Sequence, residues 1–240
     1  RIRRVAADTG IITTIAGSGE KSHSGDGGRA LQAALLEPND IAFSRDGRLL
    51  YIADPSAHRV RAVDLRNNTI DTFAGSGEAR DFGDGAAANL AGVWGARAVT
   101  VAADGTVFIV QKNGSAVRAV DPVSGNIRHV AGTGEYGYAG DGGAMAKAVF
   151  DRPKELCMDG DSAILIVDTE VPAIRRIDLQ KGIVTTIVGV GDGKHHYNGD
   201  DLPARSSSLA RPHGIAIGPD GAIYIGDSEN HRVRKVSRAA

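Results

Sequence analysis

The feature that most constrains the fold is a short segment that recurs four times along the chain. Each copy is a run of Thr and β-branched residues that ends in an Ala-Gly or Val-Gly pair, and the four glycines are Gly17, Gly75, Gly132 and Gly189. Consecutive glycines are 58, 57 and 57 residues apart. A fixed period of this length is typical of a protein built from stacked copies of one supersecondary unit.

A second series of residues keeps the same period. Each copy contains an arginine inside an apolar run such as Val-Arg-Ala-Val, at Arg61, Arg118, Arg175 and Arg234, with spacings of 57, 57 and 59 residues. A further copy of this run opens the chain at residues 2–5. Because two independent series share one period, the repeat accounts for the whole chain.

Each repeat contains four short strand-like runs. In the first complete copy they cover residues 41–43, 50–53, 60–63 and 71–74, and turn residues such as Asp46-Gly47 separate them. Runs of this length with no apolar stripe at helical spacing predict an all-β protein. A four-stranded antiparallel unit at this period is the blade of a β-propeller. We expect the first strand of each blade, which would lie innermost with a neighbour on both sides, to be the most apolar.

The repeats predict one domain over residues 1–240. The copies cover roughly residues 1–17 (partial), 38–75, 96–132, 153–189 and 212–236, which amounts to about four blades. The arginine-bearing third strand occurs at both ends of the chain, at residues 2–5 and 233–236. This redundancy favours a segment of a longer, six-bladed propeller over a closed four-bladed ring.

Three features of the repeat resemble the NHL family of repeats. They are the Asp-Ser-Glu-Asn-His-Arg-Val-Arg-Lys-Val run at residues 227–236, the Thr-Thr-Ile-Ala-Gly strand at residues 13–17, and the Gly-Asp-Gly-Gly loops at residues 25–28 and 140–143. Asn230-His231 matches two of the three letters of the Asn-His-Leu signature. The resemblance implies an NHL-type β-propeller of four-stranded blades. A fold of this kind says little about function.

Some polar residues recur at equivalent positions, which indicates a structural role. One series ends the second strand of each copy and consists of Asp54, Gln111, Asp168 and Asp227. We predict that each pairs with the arginine of its own copy, at Arg61, Arg118, Arg175 or Arg234, or with nearby backbone, and so braces the blade.

Other polar residues change from copy to copy, and binding sites are expected where equivalent positions of a repeat differ. The residues just before the first strand vary in this way, and Trp94 lies in the same loop of the second copy. The predicted binding residues are Asn39, Asp40, Trp94, Arg97, Lys154, Glu155 and His213. Aromatic residues and arginine are enriched at binding hot spots. For Trp94, simple packing within the loop is an equal alternative.

Charge and hydropathy exclude several classes of partner. The chain has 28 basic and 29 acidic residues and a formal net charge of −1, so it has no long-range field for an anionic polymer. The few aromatic residues form no stacking platform, and we therefore predict no nucleic acid partner. No apolar run approaches the roughly 18 residues of a spanning segment, so we predict no membrane insertion. The compartment and the oligomeric state stay open, an extracytoplasmic location included.

The preferred hypothesis is a non-enzymatic binding or scaffold module that recognises a protein, peptide or glycan through one face of the propeller. It requires no cofactor, no metal and no catalytic residue. The alternative is a propeller-type lyase or lactonase with a metal in the central channel. The first strands, which would line that channel, offer few histidines or carboxylates, and only Glu155 and His213 lie close to them.

Overall fold

The computed structural model describes residues 1–237. In this range the secondary structure consists of 18 β-strands and five single 3-10 turns, without an α-helix. The prediction of an all-β fold is therefore confirmed. None of the helical segments in these residues has the length and apolar character needed to cross a membrane. Two compact units are present: the first comprises Arg1–Val107 and Val120–Arg128, and the second comprises Phe108–Ala119 and the described residues from His129 onward.

The first unit contains a hairpin and a complete four-stranded meander. The hairpin pairs β1 (Ile2–Val5) with β2 (Ile12–Ala16). The meander is antiparallel, with the short strand β3 (Gly28–Arg29) added at its outer edge, and its strands are β4 (Asp40–Phe43), β5 (Leu49–Asp54), β6 (Arg59–Asp64) and β7 (Thr69–Ala74). These bounds agree within two residues with the four runs predicted from the sequence.

The second copy of the repeat also has four strands, and the boundary between the two units passes through it. Its strands are β8 (Ala96–Val101), β9 (Val107–Gln111), β10 (Ala116–Val120) and β11 (Ile127–Ala131). The five 3-10 turns are found at Pro55–Ala57, Ala88–Leu90, Met145–Lys147, Ala204–Ser206 and Ser228–Asn230.

The second unit contains the third and fourth copies. The third copy is a four-stranded antiparallel sheet of β12 (Glu155–Asp159), β13 (Ala163–Asp168), β14 (Ala173–Asp178) and β15 (Ile183–Val188). The fourth copy supplies the three strands β16 (Gly214–Ile217), β17 (Ile223–Asp227) and β18 (Arg232–Val236). Leu165 and Val167 of β13 pack in one cluster with Ile223 and Ile225 of β17, so neighbouring sheets stack within this unit.

The second strand of each copy, and not the first, forms the centre of the core. All six residues of β13 are buried, whereas Ile41 and Phe43 of β4 are 46% and 58% exposed. The first strand, which was expected to lie innermost with a neighbour on both sides, is therefore less completely covered than the second. The reason lies in the sheet order, because β4 and β12 are edge strands, while β5 and β13 have a paired strand on each side.

The glycine that ends each fourth strand is required by its backbone and its surroundings. Gly75, Gly132 and Gly189 have φ values of +92°, +97° and +94°. A Cβ on Gly75 would collide with the carbonyl oxygen of His58, and one on Gly132 would collide with that of Ser115. Since only glycine combines positive φ with so close an approach of two backbone segments, the Ala/Val-Gly pair marks every copy.

Candidate functional site

The recurrent arginine of the third copy lies between two aspartates from different parts of that copy. Arg175 is fully buried, with Nη1 3.6 Å from Oδ2 of Asp168 and Nη2 3.7 Å from Oδ1 of Asp141. The ring of Tyr138 covers its guanidinium group at 4.6 Å. This arrangement is a framework contact, since it compensates a buried charge with charges and an aromatic face.

The same arrangement recurs in the fourth copy and in part in the first. Arg234 lies 2.9 Å from Asp200 and 3.5 Å from Asp227. In the first copy Arg61 is fully buried and pairs with Asp26 of the glycine-rich loop. In these three copies the arginine therefore connects the blade to the glycine-rich loop that precedes it.

The aspartate that ends each second strand also holds the loop before the first strand. The two carboxylate oxygens of Asp54 accept the backbone N–H groups of Leu36 and Glu37, both at 2.8 Å. Asp168 and Asp227 accept one such bond each, at 2.7 Å. These carboxylates therefore set the position of the variable loop, and their role is structural.

The second copy replaces this aspartate by an uncharged residue. Gln111 and Arg118, at the equivalent positions, are both buried. In the third copy, burial raises the pKa of Asp168 to about 8, although the neighbouring Arg175 and the bond from the Asp151 N–H act in the opposite direction. The blade therefore accommodates an uncharged side chain at this position, as Gln111 in the second copy and as the protonated form of Asp168 in the third.

In the first unit, the variable residues at the start of the first strand contact the first strand of the next copy; Asp40 and Arg97, predicted to precede that strand, are part of β4 and β8. The guanidinium group of Arg97 donates a hydrogen bond to Oδ1 of Asn39, and Oδ2 of Asp40 accepts the backbone N–H of Val99 at 2.8 Å. Burial raises the pKa of Asp40, although this bond and the charge of Arg97 act in the opposite direction. Trp94 is half-buried. The structure thus brings Asn39, Asp40 and Arg97 together.

The second unit repeats this relationship with different residues. Nζ of Lys154 lies 2.7 Å from Nε2 of His213 and 3.8 Å from Oε1 of Glu170. Lys154 is only 6% exposed, whereas His213 is exposed. Glu155 accepts the N–H of its neighbour Leu156 at 3.1 Å. Of the predicted binding residues in this unit, His213 is therefore the most exposed, Glu155 is partly exposed, and the buried Lys154 holds the His213 ring.

A polar cavity of about 350 Å³ lies in the second unit near this pair. Its lining residues come from four loops and were not predicted from the sequence; they are Lys112, Asn113, Tyr136, Arg152, Glu170 and Arg211. Glu170, which contacts Lys154, connects the cavity to the Lys154–His213 pair. We refer to this feature as the cationic cavity, because three of its six residues are cations and one is an anion.

Two arginines of the cationic cavity have an unusual backbone conformation. Arg152 and Arg211 have φ values of +51° and +40°, and the equivalent residue of the second copy is Gly95, with φ +72°. The left-handed region costs a non-glycine residue roughly 1–2 kcal/mol. An arginine where another copy has glycine is the one sequence signal that would have indicated this cavity.

Contacts with other side chains hold the acidic residue of the cavity. Glu170 lies 2.9 Å from Nη2 of Arg211, which in turn lies 3.3 Å from Glu229 through Nη1. Partial burial acts to raise the pKa of Glu170, but the hydrogen bond from Arg211 and the charges of Arg211 and Lys154 outweigh it and lower the pKa. Glu170 is therefore an anion that is already engaged by two cations.

The described residues contain no obvious metal site. Within residues 1–237, no three His, Cys, Asp or Glu side chains cluster in a way that could hold a metal ion. Glu155 and His213, the nearest candidates from the sequence, have contacts with Leu156 and Lys154 instead. The part of the chain that the structure describes thus offers no ligand set for a lyase or lactonase of the channel-metal type.

The chain is similar in sequence to known repeat proteins. The NHL repeat family is matched over residues 209–236. NHL repeat-containing protein 2 of Bos taurus is 24% identical over 262 residues, which cover 97% of this chain and 35% of that protein. The chain spans only 22% and 35% of the lengths of the first two curated relatives that it matches.

Two solved structures with a similar fold, both from bacteria, illustrate the match. An auxiliary nutrient binding protein from Bacteroides thetaiotaomicron superposes with a TM-score of 0.68 at 20% identity, over 97% of this chain and 52% of that one. XC5397 from Xanthomonas campestris, a gluconolactonase, superposes with a TM-score of 0.57 at 15% identity, over 85% of this chain and 59% of that one. At such identities the likeness establishes the fold alone, which is that of propeller-type β-proteins.

Proposed function

We propose that this chain, which is similar to NHL-repeat proteins, is a non-enzymatic binding module that recognises a protein, peptide or glycan through one face of its propeller. The observation that carries the proposal is the pairing of variable residues at one position of the repeat. Asn39 bonds to Arg97 in the first unit, and Lys154 bonds to His213 in the second. A framework needs the same residue in every copy, as at the buried arginines, whereas a recognition surface needs different ones.

The cationic cavity supports the same assignment. Ligand sites are concave and combine a few fixed polar groups in one place. In the second unit the variable position adjoins such a cavity, and Glu170 contributes to both. Recognition residues on loops that a rigid scaffold positions are the usual arrangement for binding proteins.

The lyase or lactonase alternative lacks support from the described residues. Such a reaction would need a metal held by several side chains, and residues 1–237 contain no cluster suited to it. The likeness to a gluconolactonase is a likeness of fold and carries no chemistry to this chain. Metal analysis of the purified full-length protein separates the two functions, because a stoichiometric divalent ion would favour the enzyme.

Selection from two libraries tests the proposal. The purified chain is used to select peptides from a displayed library and to probe a glycan array. The affinity of each ligand found is then measured for the parent chain, for Arg97→Gln and for His213→Gln. These two residues are at least partly open to solvent, whereas the buried Lys154 is left in place. We expect at least one substitution to weaken binding about tenfold, which corresponds to one lost charge-assisted or polar contact.

The control variant is Lys181→Gln, whose side chain is 74% exposed on a hairpin turn of the second unit. It should bind every ligand with unchanged affinity, and thermal denaturation of all three variants should show one cooperative transition, which establishes that they are folded. Enrichment of no ligand from either library, or equal affinity for the parent chain and both site variants, would refute the assignment.

A further inference from the structure

The cationic cavity has more positive than negative charge available to a ligand. Glu170 is engaged by Arg211 at 2.9 Å and by Lys154 at 3.8 Å, and Glu229 also pairs with Arg211. Lys112 and Arg152 also line the cavity, and neither forms an ion pair with a carboxylate within residues 1–237. Two cations at the wall of one cavity therefore lack an anion, and a ligand can supply it.

One acidic residue lies next to this charge, but one of its two carboxylate oxygens is enclosed by the protein. Asp151 precedes Arg152, and its Oδ1 is buried without a hydrogen-bond partner. Burial raises the pKa of Asp151, an effect that Glu170 reinforces and the charge of Arg152 opposes. Since this oxygen is enclosed, it does not occupy the position that a ligand would take in the cavity.

Arg152 is held in place before any ligand arrives. Its backbone N–H donates to Oγ of Ser115 at 3.4 Å, and its guanidinium carbon lies 5.0 Å from the ring centroid of Tyr136. The hydroxyl of Tyr136 in turn donates to the carbonyl oxygen of Asn113 at 2.8 Å. Preorganised arginine loses little freedom on binding, and its planar group suits a carboxylate.

The backbone at Arg152 has a conformation that favours glycine over a residue with a side chain. Its φ of +51° is unfavourable for arginine, whereas the equivalent Gly95 takes a similar conformation freely. Backbone strain of this kind is characteristic of functional positions. Together with the unpaired charge, it marks the cavity as a site for an anionic group.

We propose that the cationic cavity binds a carboxylate group of an acidic peptide, with Lys112 and Arg152 as its direct partners. The inference rests on the proposed function and specifies its ligand. A volume of about 350 Å³ lies near the lower end for ligand sites and suits one acidic side chain. The cations are confined to one cavity with one tyrosine, whereas single-stranded nucleic acid needs a basic track with several stacking aromatics.

The test uses two peptides that differ only in charge. Hexaglutamate and hexaglutamine, both acetylated and amidated, are titrated into the intact chain, and binding is followed by fluorescence anisotropy in low salt and in 0.5 M salt. We expect hexaglutamate to bind and hexaglutamine not to bind. Binding should weaken in high salt, because the ions screen the contact.

Variants identify the cavity as the site. Arg152→Gln and Lys112→Gln should each weaken hexaglutamate binding about tenfold, whereas Lys181→Gln should leave it unchanged. The melting temperature of each variant establishes that it is folded. Equal binding of the two peptides, or unchanged affinity in both cavity variants, would overturn the inference.

A third probe separates peptide from nucleic acid. If a hexauridylate bound more tightly than hexaglutamate and lost affinity in the same two variants, the ligand class would be wrong although the site was right. A chain that binds a selected ligand through Arg97 or His213 but does not bind hexaglutamate would disprove the inference and retain the proposed function. A chain that binds no ligand would disprove both.

Discussion

The ammonium group of Lys154 donates a hydrogen bond to Nε2 of His213 over 2.7 Å, and these two residues occupy the same position in successive copies of the repeat. The lysine is almost completely buried, and the histidine is exposed. The contact therefore fixes an exposed ring by means of a buried charge. The ring nitrogen is the acceptor in this contact, because an ammonium group can only donate.

Removing the acceptor at His213 should destabilise the protein. In His213→Leu the buried ammonium group of Lys154 loses one of its partners, and we expect a loss of about 1 kcal/mol in the free energy of unfolding. Gln offers an acceptor oxygen, so His213→Gln should lose less. Urea denaturation of both variants measures the difference, and a Leu variant as stable as the parent would show that the bond contributes nothing.

The buried arginine of the third copy should be far less replaceable than its aspartate. Arg175→Met removes the cation that lies 3.6 Å from Asp168 and 3.7 Å from Asp141, and we expect a loss of about 3 kcal/mol in unfolding free energy. Asp168→Asn keeps an acceptor for the N–H of Asp151 and should cost less, about 1 kcal/mol. Denaturant midpoints give both values. The order would be contradicted if Asp168→Asn were the more damaging change.

Gln111 provides a natural precedent for the Asp168→Asn variant. It holds the same position in the second copy, is fully buried, and carries no charge. The raised pKa of Asp168, which burial brings to about 8, agrees with this precedent, since burial favours an uncharged group at this position.

Stability should depend on pH in acid through Asp141. Partial burial acts to raise the pKa of Asp141, but hydrogen bonds from Thr186 and Arg205 and the charge of Arg175 outweigh it, and its pKa lies below the ordinary value. A lowered folded-state pKa stabilises the protein above about pH 4, and this contribution is lost as the pH falls through the folded-state value. The Asp141→Asn variant has no carboxylate at this position and therefore lacks this pH-dependent stabilisation.

The comparison of parent and Asp141→Asn by urea denaturation at several pH values checks this expectation. The parent should be the more stable of the two at pH 6. The difference in unfolding free energy between the two proteins should shrink as the pH is lowered from about 4 to about 2. A gap that is constant over this range would show that the carboxylate does not titrate as its contacts imply.

The left-handed backbone at Arg152 predicts an unusual order of stabilities. Because a φ of +51° suits glycine, Arg152→Gly should be more stable than Arg152→Ala by about 1 kcal/mol. At positions with negative φ the order is the reverse, since glycine has more conformational freedom to lose on folding. Thermal denaturation of the pair measures the difference. Both variants lack the guanidinium group and should bind hexaglutamate equally poorly. If the Ala variant were the more stable of the two, the backbone at this position would not be strained.

The glycine at the end of the fourth strand should not tolerate a side chain. In Gly132→Ala the new Cβ would lie 2.5 Å from the carbonyl oxygen of Ser115, at a φ of +97°. Gly182 has a φ of +69° and open space around its Cα, so Gly182→Ala meets only the backbone penalty. We expect Gly182→Ala to lower the free energy of unfolding by about 1 kcal/mol and Gly132→Ala to lower it at least twice as much. Denaturant unfolding of both variants measures the two losses. Equal costs would contradict the steric argument.

The amino-acid sequence by itself determined the repeat, the strands and the resemblance to NHL repeats. Strands such as β5 and β13 form from local runs of apolar residues between turns, and the glycine at Gly75, Gly132 and Gly189 is needed by the backbone of every copy. Features that each copy needs for itself reappear at a fixed period. They are therefore visible in one sequence without any neighbour in space.

Only the tertiary structure decided the surroundings of the candidate site. Lys154 is buried and bonds to His213, 59 positions further along the chain, and Arg152 packs on the ring of Tyr136. These contacts arise from the packing of loops from different parts of the chain. The exposure of the first strand likewise follows from its place at the edge of its sheet. Contacts of this kind depend on how copies stack, and no periodic pattern within one copy encodes them.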